Sequence, residues 1–256
     1  MKFTDLTPIS LVWGFFSILP WAIALFMSFP KSRNHFPDKN STEIFVRLLF
    51  FSLLAFLAGI LSTYLILEIS PLIWPNIDLK PKRPKSLLTQ TIHLAFIQAG
   101  MVEEAFKIGF IFLISFFLVR TKEGKWKKEI FLVAGFTALG FAFIENSHYI
   151  ISEIPDKRIE TFIGRSIHSS NIHMLINLTF ALFCIKSNAI GIATQKWFYL
   201  AAAFLLAVIQ HGVVDFFLIP SSIIGGWIAT AMFVGIWVWV VNDFRSYILE
   251  LKKRKI

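Results

Sequence analysis

The sequence predicts an all-α protein, a polytopic membrane helical bundle of about seven transmembrane helices. Three observations predict it. Of 256 residues, 56% are hydrophobic, with 29 Phe and 8 Trp, and the mean hydropathy is +0.67; a soluble domain is about 45–50% apolar. Apolar runs longer than the ~18 residues needed to cross a bilayer recur along the chain. Lys and Arg gather in the short connections between those runs, the pattern that sets membrane topology. The formal net charge of +9 is therefore a topology signal, and no nucleic-acid partner is expected. The single cysteine, Cys184, lies inside an apolar run, which leaves no intrachain disulfide and no Cys-based metal site.

The first run, 9–29, is too long for the core of a signal peptide and no small-x-small cleavage site follows it, so it reads as a retained span. The second covers 44–69. The third, 97–119, has a lead-in from Ser86, and 34 apolar residues would reach about 50 Å, too long for a straight span. Gln90, Thr91, His93 and Gln98 in the lead-in point to an interfacial helix that bends near Gly100. The fourth run covers 129–151. The fifth, 170–190, starts polar ("RSIHSSNIH") and turns apolar after Ile172; the sixth and seventh cover 197–219 and 223–241. No internal repeat or second domain is visible, so residues 1–256 read as one integral membrane domain.

Alternate connections (30–43, 120–129, 186–196 and the tail from Arg245) hold fifteen Lys and Arg, and the opposite set holds seven. The positive-inside rule then puts the N-terminus outside and the C-terminus in the cytoplasm of a multi-pass cell-membrane protein.

Ionisable residues inside membrane helices are costly and usually functional. Four groups occur here. Glu103 and Lys107 share a helix face, with Glu104 about 100° around. Glu145 falls within about 20° of a small-residue stripe of Ala134, Ala138 and Ala142, so it should face other helices, with Asn146 and His148 following. Arg165, His168, Asn171, His173 and Asn177 crowd the start of the fifth run. His211 and Asp215 share a face in the sixth. The plainer alternatives are a structural ion-paired triad for the first, a solvated interfacial Glu145 for the second, an interfacial filler His for the third and a structural His–Asp pair for the fourth. However, the alternation of helix direction puts all four at similar depth, in the outer half of the bilayer under the topology above. Independent ion pairs have no reason to agree in depth, whereas one polar cavity does.

These residues resemble the PrsW family of intramembrane proteases, relatives of the CAAX-processing and bacteriocin-immunity membrane proteases. The matching patterns are Glu103-Glu104-x-x-Lys107, Phe141-x-x-x-Glu145-Asn146, Arg165 followed by His173, and His211-x-x-x-Asp215. They occur in order on four consecutive spans within residues 100–219. One departure is Ala181, where the family often has Gly; His168 competes with His173 but lies at the wrong distance from Arg165.

The resemblance implies a protease-like core over about 86–219 and an endopeptidase acting on a membrane-associated protein, such as an anti-sigma-factor-like or lipidated protein. It implies catalytic roles for Glu103, Glu104, Glu145, His173, His211 and Asp215, supported by Lys107, Asn146 and Arg165. Either glutamate would activate water, the histidines would donate to the oxyanion, and Asp215 would orient His211. The same groups suit a metal such as Zn, with Glu104, Glu145, His173 and His211 as ligands. Glu145-x-x-His148 has the i, i+3 spacing of di-metal bundles, but no second such motif is present. Glutamate-type and metal-dependent chemistry both stay open at this point. The rival class is a proton- or cation-coupled transporter built on the same groups.

Overall fold

The computed structural model describes residues 6–29, 41–73, 84–219 and 223–253. The basic connections 30–40 and 75–83, on which part of the orientation argument rests, lie outside the described residues. Among those described, the chain forms seven helical segments, one for each apolar run.

Helix α1, Pro8–Ser28, starts with Pro at its first position and a capping box. Ser10 N–H donates to Thr7 Oγ1 at 3.2 Å, and Thr7 N–H to Ser10 Oγ at 2.9 Å. Helix α2 is Ser41–Ile73. Helix α3 is continuous over 84–118 but changes winding twice: α-helix over Pro84–Ile92, π-helix over His93–Glu103, and α-helix over Glu104–Leu118. The expected bend near Gly100 is thus a π-helical stretch containing Gly100. A tight turn follows, with Gly124 at φ 76°. Helix α4 is Ile130–Ser152. Helix α5, Pro155–Ala189, has a π-helical turn at Arg165–Ser169 before its long α-helical part Ser170–Lys186. Helices α6, Ala193–Leu218, and α7, Ile223–Lys253, complete the bundle.

Six of these helices are long and apolar enough to cross a membrane. Helix α3 is not among them; it carries Glu103, Glu104 and Lys107 in mid-helix. Apolar side chains such as Phe15, Leu57, Phe117, Phe198 and Trp227 stand exposed around the outside, a surface that suits lipid.

Helix α4 is the axis. Its apolar window is 83% buried, against 22% for α1 and for α7. Residues on every face of it are buried, the pattern of a helix enclosed by others. It packs against α1, α2, α3 and α5. The Ala134, Ala138, Ala142 stripe is fully buried as expected. The closest crossing, however, is made by glycines: a Cβ on Gly140 would lie 2.1 Å from the Phe56 carbonyl oxygen, and one on Gly59 2.1 Å from that of Thr137. The π-helical part of α3 meets α6 in the same way. A Cβ on Gly212 would lie 2.4 Å from the Phe96 ring, and one on Gly100 2.9 Å from the Val208 carbonyl oxygen. That crossing carries Glu103 and Glu104 to His211.

Candidate active site

Lys107 is the hub. It is fully buried on the first turns of the α-helical part of α3, where an unpaired ammonium would be prohibitive. Its Nζ lies 2.6 Å from Glu104 Oε1 and 3.6 Å from Glu103 Oε2. It donates to His173 Nδ1 at 3.2 Å and sits 4.2 Å from the centre of the Phe141 ring. An ammonium has no lone pair, so His173 Nδ1 must accept. The proton of a neutral His173 is then on Nε2, which donates to Glu145 Oε2 at 2.9 Å.

Glu145 is held from the other side by Arg165, whose Nη2 is 2.5 Å from the same oxygen. Arg165 Nε donates to Asn146 Oδ1 at 2.7 Å, and its guanidinium covers the Tyr149 ring at 4.1 Å. Asn146, fully buried, donates through Nδ2 to Ser17 Oγ and Ser170 Oγ, both at 2.8 Å. The π-helical turn Arg165–Ser169 therefore delivers Arg165 and Ser170 to α4 while His173 stays on the same side one turn on.

His211, on α6, is 2.7 Å from Glu104 Oε1 through Nδ1. Its Nε2 is 3.8 Å from Glu103 Oε2 and 3.5 Å from Asp215 Oδ2. The two imidazole rings are 5.0 Å apart. All nine residues named from the sequence thus converge at one centre. One detail differs from expectation: the carboxylate nearest His211 is Glu104, with Asp215 further off. His148 Nε2 lies 3.4 Å from Ser152 Oγ.

The centre opens into a cavity of about 1110 Å³. Glu145, His173, His211 and Asp215 lie in its wall with Arg165 and His168. Glu153, just after α4, with Lys157 and Glu160 from the start of α5, line its polar end, and Trp227 and Phe233 of α7 line another side. Glu103, Glu104 and Lys107 are not among the wall residues.

The donor set fits a metal ion. One ligand atom each from Glu103, His173 and His211 lie within 4.8 Å of one another. Glu103 Oε2 is buried without a hydrogen-bond partner, as a ligand atom would be before it finds its ion. A carboxylate with two histidines and an open fourth position is a catalytic zinc set, and His173 would join it by giving up one of its two bonds, to Lys107 or to Glu145. Glu103 is the carboxylate of that group; of the two carboxylates expected as ligands, Glu104 pairs with Lys107 and His211, and Glu145 with Arg165 and His173.

The sequence reading missed Ser17, Ser170, Phe141 as a cation–π partner, and Tyr149. Only Ser17 carried no local signal; the others stand within four residues of a named polar group.

Fold and centre together define a polytopic membrane protein that buries carboxylates, imidazoles and cations from four helices against one cavity. The profile of the PrsW family of intramembrane metalloproteases matches residues 46–241, and the chain belongs to that family. It is 33% identical over 130 residues to a protein named Protease PrsW of Clostridioides difficile (strain 630), covering 51% of this chain and 53% of that one. It is 27% identical over 128 residues to a Protease PrsW of Geobacillus kaustophilus (strain HTA426), covering 50% and 53%. The chain spans about half the length of these curated relatives. No solved structure matches.

Proposed function

We propose that this protein is an intramembrane endopeptidase that hydrolyses a peptide bond of a membrane-associated protein, at a Glu/His centre in the outer half of the bilayer. The observation that carries the proposal is the convergence of Glu103, Glu104, Lys107, Glu145, His173 and His211 at one centre, of which Glu145, His173 and His211 line a cavity between helices. Hydrolysis in a membrane needs water, a base and positive character where the oxyanion forms. The polar end of the cavity, at Glu153, Lys157 and Glu160, supports water entry, and its apolar α7 side supports approach of a membrane segment.

Glu103 is the carboxylate we assign to the attacking water. It is the more accessible of the adjacent pair, with an oxygen beside both histidines. Glu104, held between Lys107 and His211, fixes the orientation of His211. His211 offers a ring N–H to the developing oxyanion, with Asp215 beside it. His173 is fixed by Lys107 and Glu145, and Arg165 with Asn146 anchors Glu145. Under the metal-dependent version Glu103, His173 and His211 would hold the ion, which supplies carbonyl polarisation and a more acidic bound water. The topology with a cytoplasmic C-terminus rests on the Lys and Arg count and belongs to the same proposal.

The experiment is cleavage of a co-reconstituted single-span reporter by the full chain and by Glu103→Gln and His211→Ala. Removal of a general base or an oxyanion donor should lower the rate by about 10²-fold or more. Unchanged cleavage in both variants would end the proposal.

A further inference from the structure

At the other end of the bundle a second cavity, about 410 Å³, lies between the turn 119–129 and the α5–α6 connection. Arg120, Lys125 and Lys196 line it, and the one lining carboxylate is Glu123. Glu123, exposed on the turn, accepts from the Thr121 hydroxyl and has its charge facing Lys125 and Lys127, so of the three lining cations it answers Lys125. Arg120 donates through Nε and Nη2 to the Gly124 carbonyl oxygen at 3.1 and 2.8 Å, and Lys196 Nζ approaches the same oxygen at 3.5 Å. One neutral carbonyl cannot balance two cations.

Two further donors face this place. Trp126, another wall residue, is 4% exposed, and its indole N–H is buried with no acceptor. Its backbone is held in place: Asn188 accepts from the Trp126 main-chain N–H at 2.8 Å and donates to its main-chain carbonyl at 2.9 Å. Helix α6 begins at the cavity with Ala193, and no side chain caps its first N–H groups. Such a helix end carries partial positive charge and open donors. Arginine, lysines, a stranded indole N–H and a bare helix start all ask for one anionic, multi-acceptor group.

We propose that this cavity binds a phosphate group. Lys196 and Lys125 meet its charge from the open side, Arg120 from below, and Trp126 and the start of α6 donate to its oxygens. The carrier is an anionic phospholipid headgroup or free phosphate. The exposed Trp197 at the rim, beside apolar membrane-facing surface, suits the lipid. The site is separate from the Glu/His centre and does not depend on the reaction proposed there.

The full chain is placed in discs of phosphatidylcholine with and without phosphatidylglycerol, and lipid retained on release is counted by native mass spectrometry. Wild type should retain phosphatidylglycerol preferentially. Lys196→Gln should cut that preference about fivefold, the factor for ~1 kcal/mol per interfacial cation, and Trp126→Phe should reduce it while keeping the ring. In a parallel arm, inorganic phosphate against chloride at equal ionic strength is added to phosphatidylcholine discs. A rise in melting temperature that Lys196→Gln loses, without lipid preference, identifies free phosphate as the occupant. Melting curves confirm folding, and Lys125→Gln, exposed on the turn, substitutes for any variant that fails. No lipid preference and no phosphate stabilisation overturn the proposal, as does equal binding by wild type and all variants.

Discussion

Lys107 shows why a charged residue belongs in this interior. It touches Glu104, Glu103, His173 and the Phe141 face at once, so its removal strands two carboxylates away from water. Lys107→Met should destabilise the protein by about 3–5 kcal/mol, the cost of leaving a buried charge unpaired, measured by thermal melting in detergent. The double variant Lys107→Met/Glu104→Leu should recover part of that loss, because it removes both charges. Arg165→Lys should lower cleavage with little change in melting, since a single ammonium cannot replace the fork that joins Glu145 to Asn146. That these residues meet in the interior was legible in the sequence, because a carboxylate in an apolar run is conspicuous. Their partners were not. The position of a residue on its own helix gives its face, but the match of Asn146 to Ser17, 129 residues earlier, depends on how far one helix slides along another. For the same reason Asp215 was assigned to His211 by its spacing of four, while Glu104, 107 residues away, lies nearer.

At the scale of elements, seven apolar runs became seven helices because run length and hydropathy are properties of one segment at a time. What each helix does at its crossing is a property of two. The bend read at Gly100 is a π-helical stretch, and Gly100 and Gly212 are there because backbone meets backbone or ring. The alanine stripe on α4 was visible as a repeat of four, whereas Gly59 and Gly140 gave no repeat. Gly212→Leu would drive a side chain into Phe96 and pull α3 away from α6. The expected outcome is a loss of about 1–3 kcal/mol, typical of overpacking, read as a lower melting temperature, with cleavage falling further than stability because Glu103 and Glu104 leave His211. Phe96→Ala in the same chain should return stability.

For the whole molecule, two questions are answered by global measurements. The first is the ion. If Glu103, His173 and His211 hold zinc, purified protein should contain about one equivalent by elemental analysis. Chelation should then abolish cleavage, add-back should restore it, and Glu103→Gln should lower the zinc content. Full activity in metal-free protein would assign the chemistry to Glu103 alone. The second is orientation. With Cys184→Ser as background, a cysteine in the tail after Arg245 should react with an impermeant maleimide only when the cytoplasmic side is opened, and one at residue 156 without that step.

The partners of α4 also set an order of events during synthesis. The ribosome delivers Glu145 before it delivers Arg165, Ser170 or His173. A nascent chain that stops short of residue 165 therefore offers the bilayer a carboxylate with none of its counter-charges from α5. The fifth helix supplies them when it comes back alongside α4.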